Sequence, residues 1–303
     1  RMKSVLSNRE YVGVVNNVEA NVKLDYKTTS AGTYLKKLFN GKKVFSNPKP
    51  IGLIKSFLTL IDDKNALVVD FFGGSATTAD AVLQLNHEDG GNRQFIIVQL
   101  PEDLDDAYTN ASGAEAKAII KNAIEVCDNI SKPHSLDYVG MERINRVIAN
   151  IKNSNDIFSS KLELGFKHFS IKSITSNQLN KLERFNPNVL FSDSGILSEF
   201  GSDSVLTTWK NIDGYGLSKE PQEIKLTEYI AYKIEETIYL IYPNISNQAV
   251  KELLEKFEDD DFVCKRIVLF GYSFTMSEIQ SIKDNLKQVE GIKHITLDIM
   301  VRY

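Results

Sequence analysis

The sequence predicts an α/β protein made of two parts, with a second, smaller α/β domain at its C-terminal end. Two observations lead to this prediction. An apolar segment at residues 67–71, a helical pattern at 77–85 and a second apolar segment at 94–100 together predict a β-α-β unit with a parallel, right-handed crossover. In the last third of the chain, strand-like and helix-like segments alternate again, which is typical of α/β folds.

The composition is that of an ordinary globular protein. The 303 residues are 42% hydrophobic and 25% charged, and no apolar run reaches the length of a membrane span. We therefore expect no membrane association. Cys127 and Cys264 lie far apart in the sequence, which predicts two reduced thiols and a cytoplasmic location. The four histidines and two cysteines never approach metal-ligand spacing, so we expect no metal site.

Charge is distributed unevenly along the chain. Residues 1–60 hold eleven lysines and arginines against three acidic residues, whereas the whole chain has a net charge of −4. This asymmetry predicts an N-terminal edge that faces a polyanion such as DNA, on an otherwise acidic body. A lysine-rich surface that is simply solvated explains the charge pattern equally well.

The N-terminal half contains further predicted elements around the β-α-β unit. Residues 14–17 and 28–32 resemble strand and turn segments, and 33–39 a short helix. Pro50 suits the first turn of a helix at 50–61, where apolar residues follow a helical period. After the unit, the pattern predicts helices at 114–130 and 138–152 and a strand at 164–171.

A polar stretch at 175–194 predicts a boundary before the C-terminal domain. Beyond it, apolar spacing alternates between strand and helix periods. The predicted order is strand 237–242, helix 247–257, strand 266–270, helix 275–286 and strand 294–301. An edge strand at 295–301 would offer a contact surface, although it could equally be covered within the fold.

The turn at residues 70–78, which reads Asp-Phe-Phe-Gly-Gly-Ser-Ala-Thr-Thr, is the most informative segment. Its small residues let a ligand approach the backbone N–H groups at the start of the following helix, and Thr77 and Thr78 add hydroxyl groups. Asp70 could accept a hydrogen bond from an ammonium or amine group, or could simply cap the helix. A plain tight turn explains the pattern equally well, and the glycine spacing is not that of a dinucleotide-binding fold.

Five segments in register resemble one family. Residues 70–78 are similar to the D-F-F-A-G-S-G-T-T cofactor motif of β-class DNA amino-methyltransferases, and residues 47–54 to their P-K-P-x-x-L-I motif. Residues 90–102 resemble the G-G-N-R-x-F-I-x-V-Q-L-P-E segment of the modification (Mod) subunits of Type III restriction-modification systems. Residues 140–144 and 164–167 resemble their E-R-I and G-F-K segments. The resemblance extends across about residues 30–172, and more loosely to the C-terminal strands.

The resemblance implies a partial Rossmann-like, S-adenosylmethionine (SAM)-dependent methyltransferase sheet. Its domains would be the end of a target-recognition region at 1–45, a SAM-binding subdomain at 46–174, and a C-terminal domain at 175–303 for dimerisation or partner contact. The implied cofactor-binding residues are Lys49, Pro50, Asp70, Phe71, Phe72, Gly73, Gly74, Ser75, Thr77, Thr78 and Gln99. The implied partners are double-stranded DNA, the restriction (Res) helicase-nuclease subunit and a second Mod subunit.

Two departures from the family motif concern the cofactor turn. Ala76 replaces the second glycine and Gly73 replaces a common alanine. The alanine methyl could narrow the pocket, so we expect weaker but not absent SAM binding.

The family's D/N-P-P-Y/F/W motif, which holds the target amine, does not occur in the chain. We therefore expect no catalytic residue in this chain and no DNA methylation by it alone. The resemblance implies that the full protein methylates adenine at N6. The preference for adenine over cytosine N4 rests only on what is usual in the family. Two alternatives are an inactive DNA-docking or assembly module and, more remotely, a nucleotide-binding oxidoreductase.

Overall fold

The computed structural model describes residues 10–15, 18–23, 27–154, 164–171, 173–184, 194–257, 259, 261–293 and 297–303. Contacts divide the chain into two compact units, Arg1–His168 and Phe169–Tyr303. Both units mix helices with strands, so the predicted α/β class is confirmed.

The N-terminal unit contains an antiparallel hairpin, a parallel pair of strands, and helices. In chain order its elements are β1 (Glu10–Val15), β2 (Val18–Lys23), α1 (Thr28–Leu38), α2 (Ile51–Ile61), β3 (Leu67–Asp70), α3 (Thr77–Asp89), β4 (Gln94–Ile97), α4 (Leu104–Asn110), α5 (Ala114–Asn129) and α6 (Leu136–Asn153). The helix predicted from residue 77 continues four residues further than its pattern indicated.

The parallel pair β3–β4 confirms the predicted β-α-β unit. Leu67 pairs with Gln94 and Asp70 with Ile97, and α3 connects the two strands. One face of the pair packs against α2 and α3 through a small apolar cluster that includes Leu58 and Val82. This packing fixes the carboxyl end of β3 next to the start of α3.

The opposite face of the β3–β4 pair is apolar and exposed. The residues that alternate onto it, Leu67, Val69, Phe71, Ile96, Val98 and Leu100, are between 45% and 74% exposed. Parallel strands are ordinarily covered on both faces. This set of six residues is called the open sheet face below.

Two predictions for the N-terminal unit are wrong. Residues 28–32 are not a strand and turn but the first part of α1, where Ala31 and Leu35 are buried one helical turn apart. Residues 164–171 form no strand. Leu164 and Phe166 instead pack against the α3–α6 cluster, so their alternation reflects a buried side without a neighbouring strand to pair with.

The C-terminal unit contains a five-stranded sheet with the order β5-β6-β7-β8-β9. In chain order its elements are α7 (Ser176–Arg184), α8 (Ser194–Phe200), α9 (Ser202–Ile212), β5 (Gln222–Leu226), β6 (Tyr229–Ile234), β7 (Thr237–Leu240), α10 (Asn247–Lys256), β8 (Arg266–Phe270), a 3₁₀ turn (Gly271–Ser273), α11 (Met276–Lys293) and β9 (Asp298–Arg302). The pairs β7–β8 and β8–β9 are parallel, whereas β5, β6 and β7 are antiparallel.

Both faces of this sheet are covered. Alternate residues of the central strand β7, Ile238 and Leu240, face a core shared with α10 and α11. Tyr239 and Ile241 face the other core, shared with α8 and α9. The unit is therefore a three-layer α/β/α arrangement, which explains why β7 and β8 are almost entirely apolar.

The sequence pattern located most of this unit and missed its hairpin. The strand at 266–270 matches its predicted bounds, and the strand predicted at 294–301 begins at Asp298, while residues 294–296 lie outside the described part. The polar stretch at 175–194 contains α7, and its residues 185–193 also lie outside the described part. The hairpin β5–β6 was not predicted, although its buried residues alternate.

A buried carboxylate anchors the end of the chain in the C-terminal unit. Asp213 follows α9 and accepts hydrogen bonds from both terminal nitrogens of Arg302 on β9, one of them 3.1 Å long. The Tyr239 hydroxyl donates to the same carboxylate over 2.6 Å. The guanidinium of Arg302 also lies 5.6 Å from the centre of the Trp209 ring. These contacts hold β9 to α9 across the sheet.

Helices long and apolar enough to span a membrane do not occur in the described part of the chain. Within the same residues, no group of three His, Cys, Asp or Glu side chains could hold a metal ion. Cys127 and Cys264 are both buried and form no disulfide.

The anchor predicts a clear stability difference between two cation substitutions. Arg302→Met should lower the free energy of unfolding by about 2 kcal/mol, because it removes the nearer of the two cations, Arg302 and Arg266, that pair with the mostly buried Asp213 carboxylate. Lys265→Met is the control, since it removes an exposed pair with Glu236 and should cost less than about 0.5 kcal/mol. Urea unfolding of the two variants measures the difference, and equal midpoints would contradict the anchor.

Candidate functional site

The cofactor turn, residues 71–76 between β3 and α3, has an unusual backbone. Gly74 and Ala76 adopt left-handed conformations, with φ of 51° and 58°. A Cβ atom on Gly73 would lie 2.2 Å from Cγ2 of Ile97, so only glycine lets the turn approach β4 this closely. The turn therefore depends on two glycines and holds one alanine in a conformation that disfavours L-residues.

Asp70 connects the end of β3 to the first turn of α3. One carboxylate oxygen accepts a 3.0 Å hydrogen bond from the backbone N–H of Phe72, and the other a 2.6 Å bond from the Thr78 hydroxyl. Each oxygen keeps acceptor capacity for a further donor. Asp70 can thus fix the turn and still receive a hydrogen bond from a ligand's ammonium group.

Gln99, which follows β4, reaches the same turn. Its side-chain oxygen accepts a 2.6 Å hydrogen bond from the backbone N–H of Gly74, and its amide nitrogen donates to the carbonyl of Leu100. The backbone N–H of Gly73 donates to the Val98 carbonyl over 3.0 Å. The ends of the two parallel strands therefore meet around the turn.

The hydroxyl groups of the turn and of the first residues of α3 point into the protein. Ser75, Thr77 and Thr78 are each less than 10% exposed. The Thr77 hydroxyl accepts a 2.9 Å hydrogen bond from Arg143, and Thr78 donates to Asp70. The Thr77 hydroxyl keeps its own proton for donation.

The two phenylalanines of the turn are largely exposed. The exposed fraction is 68% for Phe71 and 86% for Phe72. Phe71 belongs to the open sheet face. Contiguous exposed apolar side chains, rather than single ones, mark interaction sites.

Lys49 and Pro50 lie at the start of α2, where Pro50 is the N-cap residue. Pro50 is buried and Lys49 is exposed. The preceding segment contacts the turn through Phe45, whose ring atom Cζ lies 3.4 Å from the point where a Cβ on Gly74 would stand. The structure thus brings the Asp70–Thr78 segment and Gln99 together directly, and the segment before α2 against the same turn.

Sequence reasoning missed two residues behind the turn. Arg143 of α6 is 1% exposed, and Asp80 of α3 is 0% exposed. Nε of Arg143 donates to the Asp80 carboxylate over 2.9 Å, and the same guanidinium contacts Ser75 and Thr77. A helical period that places an arginine and an aspartate among apolar residues was the available signal.

Two family models match the chain. Residues 9–153 match a model described as DNA methylase, and residues 200–295 match one described as Type III R-M EcoP15I C-terminal domain. The first match contains the whole cofactor turn with both strands that form it. The chain is a homologue of Type III Mod subunits.

Three Mod relatives have comparable similarity. The chain is 32% identical to the Type III restriction-modification enzyme EcoPI Mod subunit of Escherichia phage P1 over 92% of its own length and 40% of the relative's. It is 31% identical to the StyLTI Mod subunit of Salmonella typhimurium, over 82% of this chain and 39% of the relative. It is 30% identical to the EcoP15I Mod subunit of Escherichia coli, over 88% of this chain and 37% of the relative. The chain thus spans about two fifths of the length of these relatives.

Ala76, which departs from the cofactor motif of β-class DNA amino-methyltransferases, is 3% exposed and belongs to the apolar cluster between α3 and α6. A Cβ on Gly140 of α6 would lie 3.4 Å from the Ala76 methyl. The methyl therefore packs toward α6, and its effect on the turn comes through the backbone conformation.

Ala76→Gly should leave stability nearly unchanged. Relief of the left-handed conformation gains about 1 kcal/mol, which offsets about 0.8 kcal/mol for the lost methyl. Ala79→Gly, in the same cluster, loses a buried methyl within a helix and should cost about 1.5 kcal/mol. Thermal unfolding measures both.

Proposed function

We propose that this chain supplies the SAM-binding part of a DNA methyltransferase that modifies adenine at N6. One observation carries the proposal. A glycine turn at the carboxyl end of β3 joins an acidic strand end to a helix start, and Gln99 from β4 closes on the same turn. This arrangement lies inside the segment that matches the DNA methylase model.

The residues of the turn fit SAM chemically. The Asp70 carboxylate suits the ammonium of the methionine part, and the first N–H groups of α3 suit its carboxylate. Gly73 lets the turn approach β4 and Gly74 adopts a left-handed conformation, and together they set the path of the backbone into α3. The Gln99 amide could exchange hydrogen bonds with ribose hydroxyls. Lys49 and Pro50 would line the opposite wall.

SAM, when bound, would supply a methyl group on a positively charged sulfur. An exocyclic amine would take this methyl group as the bond between carbon and sulfur breaks, and would lose one proton. The chain's own contribution would be to hold the methyl donor in a fixed position, since transfer requires close alignment of the reacting atoms. We assign no residue of this chain to the target amine. Adenine over cytosine follows the family resemblance.

The open sheet face supports the idea that the rest of the active site lies in another part of the whole protein. Six large apolar side chains are exposed on one face of a two-stranded parallel sheet, next to the turn. A larger Rossmann-like sheet with helices over this face would cover them. That further part would contain the D/N-P-P-Y/F/W motif and hold the flipped base.

Double-stranded DNA, a Res subunit and a second Mod subunit are the proposed partners, since the relatives are named as Mod subunits of Type III restriction-modification enzymes.

Part of the N-terminal basic charge is internally paired, because Lys42 and Lys43 bond to Glu125 and Glu115 of α5. The lysines that end α1 are exposed and better placed for DNA. The C-terminal unit would serve assembly. The methylase matches do not favour an inactive module.

Replacement of Asp70 tests the cofactor site. In the whole protein, Asp70→Ala should weaken SAM binding at least about tenfold, because it removes a charge-assisted hydrogen bond and loosens the turn. Asp63→Ala is the control, since Asp63 also accepts a hydrogen bond from the backbone two residues on but lies before β3. Isothermal titration with SAM measures both, and equal affinities would refute the assignment of Asp70.

Division of the active site gives a second test. The chain of residues 1–303 alone should incorporate no tritiated methyl group from SAM into DNA, whereas the whole protein should, because the amine-holding motif is absent from this chain. Measurable incorporation by the purified chain would show that the residues for base binding are already present here.

A further inference from the structure

Arg143 meets the cofactor turn from the side away from solvent. Its side chain is 1% exposed, and it is the largest of the fully buried side chains among the described residues. A buried guanidinium is costly unless charge and hydrogen bonds compensate it. Its contacts therefore indicate what the protein uses this charge for.

Those contacts are concentrated on the turn. One terminal nitrogen donates to the Ser75 carbonyl over 2.9 Å, to the Ser75 hydroxyl over 3.0 Å and to the Thr77 hydroxyl over 2.9 Å. Nε donates to Asp80 over 2.9 Å. A single side chain thus binds the residues on both sides of Ala76, which has the left-handed conformation.

Asp80 holds the guanidinium in one orientation. Its second oxygen accepts a 2.7 Å hydrogen bond from Gln84, and the Tyr34 hydroxyl of α1 lies 3.4 Å away. Burial and the Asp80 charge raise the pKa of Tyr34 above its ordinary value, so the hydroxyl stays a donor. The network joins α1, α3 and α6 behind the turn.

The turn needs such support. The residue before α3, Ala76, has no side chain that can cap the helix, and its φ of 58° is unfavourable for an L-residue. Backbone strain of this kind persists only where surrounding contacts determine the conformation. Arg143 and the Gln99–Gly74 bond provide these contacts from opposite ends of the turn.

We propose that Arg143 is a positioning residue for the cofactor: it sets the Ser75–Thr77 backbone that receives SAM and does not touch SAM itself. This inference rests on the proposed function. Lysine keeps the positive charge beside Asp80 but lacks the planar fork that reaches several acceptors at once. The charge and the positioning role can therefore be separated.

The test is SAM affinity of the whole protein, measured by isothermal titration well below the unfolding temperature. Arg143→Lys should weaken SAM binding about tenfold or more, since a small displacement of a binding group lowers affinity strongly. Arg146→Lys is the matched control on the same helix, because Arg146 bonds to Glu142 and the Leu38 carbonyl and not to the turn. It should bind SAM within about twofold of the original protein.

Hydrogen exchange gives a readout that a general loss of stability would not reproduce. Backbone amides of residues 73–78 should exchange faster in Arg143→Lys, whereas those of α5 in the same unit should be unchanged. Asp80→Asn is the second variant, to be used if Arg143→Lys does not fold. It keeps a side-chain oxygen that can accept the hydrogen bond from Nε of Arg143, and it keeps the volume of the side chain. It should show an intermediate loss of SAM affinity.

The outcomes separate two failures. If the unsubstituted protein binds no SAM, the proposed function is overturned and this assignment with it. If it binds SAM, and Arg143→Lys and Asp80→Asn bind SAM equally well, only the positioning role is overturned.

Discussion

The N-terminal unit depends on how it compensates one ion pair that has no access to water. Arg143 and Asp80 are both fully buried, and the acceptors that the guanidinium bonds within the described residues belong to Asp80, Ser75 and Thr77. Loss of either charge would leave the other uncompensated in a low-dielectric interior. The pair therefore makes the position of α6 and the shape of the turn interdependent, and α3 begins where that shape requires.

Hydrophobic periodicity predicted the β-α-β unit and most of the C-terminal unit because these elements bury regular apolar faces. It failed at residues 28–32, where small and hydroxyl residues lack a clear period yet begin α1, and at 164–171, where alternation reflects packing without a partner strand. The hairpin β5–β6 has no glycine in its two-residue connection, Thr227 and Glu228, so the usual turn signal was absent.

The location of the candidate site could be predicted from the sequence, but the directions of its side chains could not. The motif at 70–78 gave its location, and the structure shows how Asp70, Gln99 and the backbone of the turn meet. The inward direction of the Thr77 hydroxyl could not be read from the sequence, because it depends on Arg143, more than sixty residues away along the chain. Contacts between distant residues leave no local pattern.

The open sheet face has a consequence for the behaviour of the chain in a test tube. Within the described residues β3 and β4 pair only with each other, and together with six exposed apolar side chains this favours edge-to-edge and face-to-face pairing between copies. Purified alone, the chain should form concentration-dependent aggregates. A polypeptide that covers this face would act as an intramolecular chaperone for the N-terminal unit.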